Sequence, residues 1–217
     1  MVVTRLLSKT MNYVVHSLDD VPEKYYSQSK AKLIHGKLAL QSEKSNSEST
    51  FSHQLKPKIE KLFLKNSYHT DKKFETEISK SIIFRNEDKM NTYGPTFDKL
   101  YGKDGNGDQE FFAIPDIVIH AGNDDFKKKN QLFVAELKTN PVLTPSLFNI
   151  DLFKIAVYHD DLLFSYSAFI IVNVSVQKVR EMFTAYQNSG YFLPRRRAMY
   201  IIVKPNYETP AKVFRIL

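Results

Sequence analysis

Cysteine and tryptophan are absent from this sequence of 217 residues. The lack of cysteine excludes disulfide bonds and thiolate metal sites, and it fits a protein of a reducing compartment. Long apolar runs are also lacking, since none approaches the ~18 residues that a membrane-spanning helix requires. The first seven residues include Arg5 and have no long apolar core, which does not match a secretory signal. We therefore expect a soluble, cytoplasmic protein that has no membrane partner.

The rest of the composition is that of an ordinary globular protein, with 42% hydrophobic and 25% charged residues. The length suffices for one sizeable domain with a full core. A formal net charge of +7 suits a polyanionic partner such as nucleic acid, because lysine and arginine release counterions condensed on phosphates. Solubility alone would explain the same charge. The candidate nucleic-acid-binding residues form two basic clusters: Lys127, Lys128 and Lys129, and Arg195, Arg196 and Arg197.

The stretch from Phe111 to Asn140 has the pattern of a β-hairpin. Its apolar runs, Ile114 to His120 and Leu132 to Lys138, are rich in β-branched and aromatic residues and are separated by a polar turn. Folding the chain about that turn places His120 opposite Gln131, and it leaves Asp116 within about one residue of the position that faces Glu136. Directly opposed residues have Cβ atoms about 4.5–5.5 Å apart. The hairpin therefore brings two carboxylates together.

Two neighbouring carboxylates repel each other unless a cation lies between them. Oxygen ligands favour a hard ion, Mg²⁺ or Mn²⁺, which keeps several waters and completes its shell with a phosphate substrate. Lys138 shares one strand face with Glu136 and could deprotonate the attacking water or stabilise charge on phosphorus. These parts favour metal-assisted phosphodiester hydrolysis. The alternative is a surface hairpin on which Glu136 and Lys138 form an exposed pair of little energetic weight.

The motif formed by these residues resembles a known family. Pro115-Asp116, nineteen intervening residues and Glu136-Leu137-Lys138 resemble the signature of the PD-(D/E)XK nuclease superfamily. The resemblance implies a restriction-endonuclease-like α/β core, a mixed central β-sheet flanked by helices. It further implies metal binding by Asp116, Glu136 and the Leu137 carbonyl, with Lys138 as catalytic base or electrostatic partner.

Members of this superfamily often take one more acidic ligand from a helix before the hairpin, and this implies a third acid here. The run after Thr70 predicts a helix with Thr70 as N-cap and a stripe of Phe74, Ile78 and Ile82. Glu75 lies on that segment and is our candidate for a catalytic and metal-binding role. Glu77 and Glu60 compete for the same role. A strand beginning at Ile82 would shorten the helix.

The flanking segments divide the chain into two parts. Residues 1–50 predict a helical N-terminal segment with a Ser-rich linker, and residues 51–217 a nuclease-like domain. The polar segment at 41–52 predicts the flexible linker, and the Gly- and Asp-rich segment at 91–110 predicts a loop. The remaining expected elements are a helix at 55–64, a helix at 148–159, a strand at 167–174, a helix at 175–188, a strand at 198–203 and a last edge strand at 212–217.

Two further residues are candidates for the site. In related folds the helix after the second hairpin strand presents polar residues to the substrate, which makes Lys154 a candidate for binding nucleic acid. The helical spacing puts Asp151, three residues before Lys154, on the side away from the core, and an ordinary ion pair between the two explains Lys154 equally well. His120 shares the strand face of Asp116 and could border the site, or it could be a hydrogen-bonded core histidine.

Together these features lead us to expect a Mg²⁺-dependent endonuclease that hydrolyses DNA, of a restriction or defence type. A non-cleaving DNA-binding module on the same scaffold is one alternative, and a nuclease of RNA or branched DNA is another. A restriction enzyme would usually be a homodimer, but no feature of the sequence defines such an interface.

Overall fold

A computed structural model describes residues 2–3, 8–26, 28–34, 37–43, 48–65, 73–75, 80–83, 87–102, 110–113, 115–120, 131–194 and 199–216. The helices are α1 (Lys9–Asp19), α2 (Glu48–Lys65), α3 (Glu87–Tyr101), α4 (Pro145–Asp161) and α5 (Val176–Asn188), with a 3₁₀ turn at Glu23–Tyr25. The strands are β1 (Val2–Val3), β2 (Gln28–Ile34), β3 (Lys37–Glu43), β4 (Lys73–Glu75), β5 (Lys80–Ile83), β6 (Glu110–Ala113), β7 (Ile117–His120), β8 (Gln131–Lys138), β9 (Tyr166–Val172), β10 (Met199–Lys204) and β11 (Lys212–Ile216).

Seven of the described strands form one mixed sheet in the order β1-β11-β10-β9-β8-β7-β4. Its centre, β8-β9-β10, is parallel, and α4 and α5 make the two crossovers. On the two sides of that centre, β7 pairs antiparallel with β8, and β11 pairs antiparallel with β10. This arrangement confirms the predicted α/β class with a mixed central sheet flanked by helices. The restriction-endonuclease-like core stays a prediction.

Helices cover both faces of the sheet, which explains why its central strands are apolar almost throughout. Strand period two sends Phe133, Ala135 and Leu137 of β8 to one face, where α1 and α2 pack on them. Val134 of β8 lies on the other face, together with α4 and α5. By the same alternation, Glu136 and Lys138 belong to the face covered by α4.

The predicted helix after Thr70 is wrong. β4 pairs antiparallel with β7, so that Glu75 lies opposite Val118, and β5 pairs with β6. The polar-apolar-polar order of residues 73–75 fits a short strand as well as a helix turn, and hydrogen bonding to the open edge of the sheet decides between them. The alternative of a strand near Ile82 agrees with β5. Thr70 lies outside the described residues.

The predicted linker and loop are also wrong in part. α2 already begins at Glu48, and buried side chains recur along it every four residues, at Phe51, Leu55 and Ile59. α3 occupies most of the segment read as a loop, although it contains Pro95, which costs about 3 kcal/mol in a helix interior. Burial of α3 against the core offsets that cost; its side chains in this contact are Met90, Tyr93, Phe97 and Leu100.

The N-terminal segment is less helical than predicted. α1 is a helix, and Ser8 caps it by accepting a hydrogen bond from the Met11 N–H. The segment then continues as an antiparallel hairpin of β2 and β3. Buried side chains of α1 belong to the same cluster as α2 and the sheet. The division of the chain at residue 50 stays a prediction.

The C-terminal half agrees closely with the sequence pattern. α4, β9, α5 and β10 lie where helices and strands were predicted, and Ser175 caps α5 as a hydrogen-bond acceptor from the Lys178 N–H. β11 is a strand as predicted, but its predicted edge position is wrong, since it lies between β10 and the two-residue β1. Within the described part of the chain, no helix has the length and apolarity needed to cross a membrane.

Removing a core side chain of α1 tests whether the N-terminal segment shares the core. Met11 is fully buried, so Met11→Ala should lower the free energy of unfolding by about 2–5 kcal/mol. Urea denaturation followed by circular dichroism should show one transition at a lower midpoint. Asn12→Ala, at the exposed neighbouring position, is the control and should change stability little. Two separate transitions would contradict a shared core.

Candidate active site at the end of strand β8

The last residues of β8 extend beyond the strand pairing with β7. Pairing between the two strands runs from His120 opposite Gln131 to Ile117 opposite Ala135, with an irregularity between Ile119 and His120. This confirms the predicted hairpin and its His120–Gln131 pair. Beyond Ala135 the edge of β8 has no β7 partner. Asp116 fills this position, since its Oδ2 accepts a hydrogen bond of 2.7 Å from the Leu137 N–H.

Glu136 is a carboxylate enclosed by the fold. Glu136 is 3% exposed, and its Oε1 has no hydrogen-bond partner among the described residues. Burial raises the pKa of Glu136 well above its ordinary value of 4.5, and the negative charge of Asp116 raises it further, against the opposing effect of Lys154. An unsatisfied buried carboxylate is costly, and such groups concentrate at functional sites.

Lys138 is held between carboxylates from two helices. Its Nζ lies 3.1 Å from Glu48 Oε1 on α2 and 3.6 Å from Asp151 Oδ2 on α4. Burial lowers the pKa of Lys138, but Asp151, Glu48 and Glu136 outweigh it, and the net pKa lies above the ordinary 10.5. Lys138 is therefore an ammonium ion at neutral pH in this structure, and it is not an exposed partner of Glu136.

Asp151 holds a second lysine as well. The Lys154 Nζ lies 3.0 Å from Asp151 Oδ1, as the ion-pair reading of this helix predicted. The placement of Asp151 away from the core was wrong, because the residue is 3% exposed. Burial lowers the pKa of Lys154, but the charges of Glu136 and Asp151 raise it above its ordinary value overall. Lys154 is thus close enough to Glu136 to act on the same site.

Glu48 is the acid that the sequence reading missed. It is the first residue of α2, and burial raises its pKa despite the favourable charge of Lys138. The signal lay in the stripe of α2, since Glu48 precedes Phe51 by three residues, but its Ser-rich surroundings favoured a linker. Glu60 lies on the same helix about three turns away, and Glu75 lies on β4. Glu77 is outside the described residues.

His120 does not join this cluster. His120 is buried on β7, four residues from Asp116, which is about 13 Å along a strand. The two basic clusters predicted to bind nucleic acid lie outside the described residues. They are Lys127, Lys128 and Lys129, and Arg195, Arg196 and Arg197.

The donor set suits a hard divalent cation, although the described residues contain no group of three or more His, Asp and Glu side chains placed to hold a metal ion. Glu136 Oε1 is buried and without a hydrogen-bond partner among those residues, and Asp116 lies beside it. The Leu137 N–H points to the edge of β8 that Asp116 occupies. Because the N–H and C=O of one strand residue point to the same edge, the Leu137 carbonyl does so too.

Comparison with known proteins identifies no relative: no protein-family model, no curated protein and no solved structure matches this chain.

Neutralising Glu136 should stabilise the metal-free protein. The folded-state pKa of Glu136 lies above its unfolded value of 4.5, so between these two pKa values the folded protein binds more protons than the unfolded chain. The free energy of unfolding therefore falls as pH rises from 4.5 to the folded-state pKa. In EDTA at about pH 8, Glu136→Gln should raise the free energy of unfolding by about 1–3 kcal/mol. At about pH 4 the gain should nearly vanish, because wild-type Glu136 is then protonated in the folded state and mostly protonated in the unfolded state.

Urea denaturation at both pH values measures this difference. Glu208→Gln, at an exposed position, serves as the control and should have little effect at either pH. A destabilised Glu136→Gln variant at pH 8 would show that the carboxylate is satisfied in the folded protein.

Proposed function

We propose that the protein is a Mg²⁺-dependent endonuclease that hydrolyses phosphodiester bonds in DNA. The observation that carries this proposal is the buried Glu136 Oε1, which has no hydrogen-bond partner among the described residues, near Asp116 and with the Lys138 ammonium two residues further along the strand. The residue types and their spacing are those of the superfamily motif that the sequence resembles. A buried acid of this kind does not stabilise the fold, and this favours a catalytic role for it.

Asp116, Glu136 and the Leu137 carbonyl would hold the metal ion, Mg²⁺ or Mn²⁺. When bound, such an ion polarises a phosphoryl oxygen and lowers the pKa of a water molecule at its open position. The cluster contains four carboxylates, Glu48, Asp116, Glu136 and Asp151, and two ammonium groups, Lys138 and Lys154. Fully ionised, it carries two excess negative charges, which one divalent cation would neutralise.

Lys138 acts in this proposal as an electrostatic partner of the phosphate. Its raised pKa keeps the side chain charged at neutral pH, and a charged amine has no lone pair with which to accept a proton. It can donate hydrogen bonds to the attacking water or to a phosphoryl oxygen and stabilise the charge that develops there. Lys154, held by the same Asp151, places a second positive charge beside the site.

Glu48 replaces Glu75 as the third acid of our proposal, in the role of a carboxylate that orients Lys138 rather than of a metal ligand. Its Oε1 lies within hydrogen-bond distance of Lys138, and it enters from a helix that precedes the hairpin in sequence, as the resemblance implies. DNA as the substrate rests on the net charge of +7 and on the resemblance. A restriction or defence role, a homodimer and a cytoplasmic location belong to the same proposal.

The first test is DNA cleavage by purified protein in Mg²⁺. Wild type should cut DNA, EDTA should abolish cutting, and Lys138→Ala should lower the rate by at least about 100-fold, because the transition-state charge loses its cation. The variant should still retard DNA in a gel-shift assay. Lys212→Ala, at an exposed position on β11, removes the same charge elsewhere and should leave cleavage unchanged.

Two results would contradict this mechanism. Equal cleavage by wild type and Lys138→Ala would remove Lys138 from it. DNA retardation by wild type without any nicking in Mg²⁺ would instead favour a binding module that has kept the nuclease scaffold.

The third acid can be identified with isosteric variants. Glu48→Gln should lower cleavage by about 10- to 100-fold, since a neutral amide orients Lys138 less strongly than a carboxylate does. Glu60→Gln changes the same residue type on the same helix and should have little effect. Initial rates at saturating Mg²⁺ provide the measurement. A larger loss in Glu75→Gln than in Glu48→Gln would restore Glu75 to the role.

A further inference from the structure

Tyr101 is a partly exposed aromatic side chain at the C-terminal end of α3. Its ring stacks on Phe97, with the ring centroids 4.6 Å apart and an interplanar angle of 23°. Phe97 packs in turn against the buried core, whereas Tyr101 remains 41% exposed. The two residues are four apart and therefore share one face of the helix. The Tyr101 ring is thus held in place by the core and is still accessible to a ligand.

The packing of α3 on α4 places this ring level with the carboxylate cluster. Lys89 pairs with Asp161 at 2.9 Å and Tyr93 donates a hydrogen bond of 3.0 Å to Asp160, both at the C-terminal end of α4. The charge of Asp151, nine residues earlier on α4, acts on Tyr101 at the C-terminal end of α3, so the two helices run antiparallel. From Tyr93 to Tyr101 the helix rises about 12 Å, and from Asp160 back to Asp151 about 13.5 Å. Tyr101 and Asp151 therefore lie at the same level.

Electrostatics agree with this placement. Burial raises the pKa of the Tyr101 hydroxyl, and the negative charges of Asp151 and Glu136 raise it further. Both carboxylates belong to the proposed active site. Tyr101 consequently borders the site rather than a remote surface.

Exposed apolar side chains are concentrated around the same site. The large hydrophobic residues that stay exposed in the described part of the chain are Tyr101, Val142, Leu147 and Tyr207. Val142 lies in the loop between Lys138 and α4, and Leu147 precedes Asp151 by one helical turn, on the same helix face. Val142 and Leu147 are thus close in sequence to members of the charged cluster, and Tyr101 lies level with it.

We propose that Tyr101 stacks on a nucleobase next to the scissile phosphate, and that the substrate is single-stranded DNA or an unpaired segment of DNA. The inference rests on the proposed nuclease function and adds the form of the substrate. An aromatic face binds a base of any identity, but only when that base is not already stacked in a duplex. A charged cluster with an aromatic and aliphatic rim fits such a strand: the charges bind the phosphate, and the rim binds the base.

The test compares cleavage of three oligonucleotides of one sequence: single-stranded, duplex, and single-stranded with an abasic site beside the cleavage position. Wild type should cleave the single strand faster than the duplex. Tyr101→Leu should lower kcat/KM on the single strand by about 10- to 100-fold, the range expected for the loss of one stacked base. Tyr101→Phe keeps the ring and should retain most of the activity.

The abasic oligonucleotide separates stacking from a structural role. If Tyr101 stacks on the missing base, Tyr101→Leu and wild type should cleave this substrate at similar rates, because the interaction is already lost. A structural defect would lower cleavage of every substrate alike. Tyr207→Leu is the matched control, since Tyr207 is also 41% exposed and lies after β10, and it should cleave all three substrates as wild type does.

The outcomes distinguish this inference from the function on which it rests. No cleavage of any substrate by wild type in Mg²⁺ overturns both. Cleavage that favours the duplex, or that is equally fast in Tyr101→Leu and wild type, overturns the stacking role and leaves the nuclease proposal in place. An equal loss in Tyr101→Leu on the intact and abasic strands also overturns stacking.

Discussion

The enclosure of the Glu136 carboxylate on β8 is the constraint on which the rest of the site depends. β8 lies near the middle of the sheet, and its other side chains up to Leu137 are buried between two layers of helices. An apolar residue at this position would cost nothing to bury, whereas a carboxylate loses its hydration and gains no hydrogen-bond donor at Oε1 among the described residues. The rest of the sheet stabilises the fold sufficiently to tolerate that cost, which is how proteins maintain strained functional sites.

The partners of Lys138 come from both layers of helices, and this explains how the N-terminal part of the chain contributes to the site. α2 packs on the face opposite to Glu136 and Lys138, yet its first residue, Glu48, reaches Lys138. The pairing of β7 with β8 ends at Ala135, and beyond it the Asp116 side chain binds the Leu137 N–H at this edge. α1 packs on α2 and so supports the helix that carries Glu48. The precision of the site therefore depends on side chains far from it in sequence.

Features that depend on interactions between residues close in sequence could be predicted from the sequence, and features that depend on distant residues could not. The hairpin and the segment from β9 to β10 have strong local patterns: alternating or continuous apolar runs, turn residues between them and a serine N-cap at Ser175. Asp116, Glu136 and Lys138 could be placed because strand period and pairing fix them. The start of α2 could not, since Glu48 follows a polar Ser-rich run and only burial of Phe51 against the sheet reveals a helix.

Long-range packing also decided the elements that were predicted wrongly. α3 contains Gly94 and Pro95, which locally favour a loop, and its contacts with α4 outweigh them. β4 exists because β7 offers an edge to pair with, a partner that lies more than forty residues away in sequence. Asp151 was placed away from the core because the helical spacing turns Leu152, Ile155 and Ala156 inward. Its burial is explained only by the two lysines that it pairs with, one on another element.

The division between charged and apolar parts of the site has a consequence for specificity. Carboxylates, a metal ion and lysines recognise a phosphate, and every nucleic acid presents the same phosphate whether it is paired or not. These groups can therefore supply catalysis and affinity, but they cannot select the form of the substrate.

Selection of the substrate form requires contact with the feature that differs between paired and unpaired strands, which is the accessible face of an unpaired base. Tyr101, Val142 and Leu147 are the described exposed groups beside the cluster with the chemistry for that contact, because bases stack on aromatic rings and pack against aliphatic side chains. Under the proposed function, substrate form would thus be determined by α3 and by the loop before α4, while the hairpin that carries Asp116 and Glu136 would serve any strand equally.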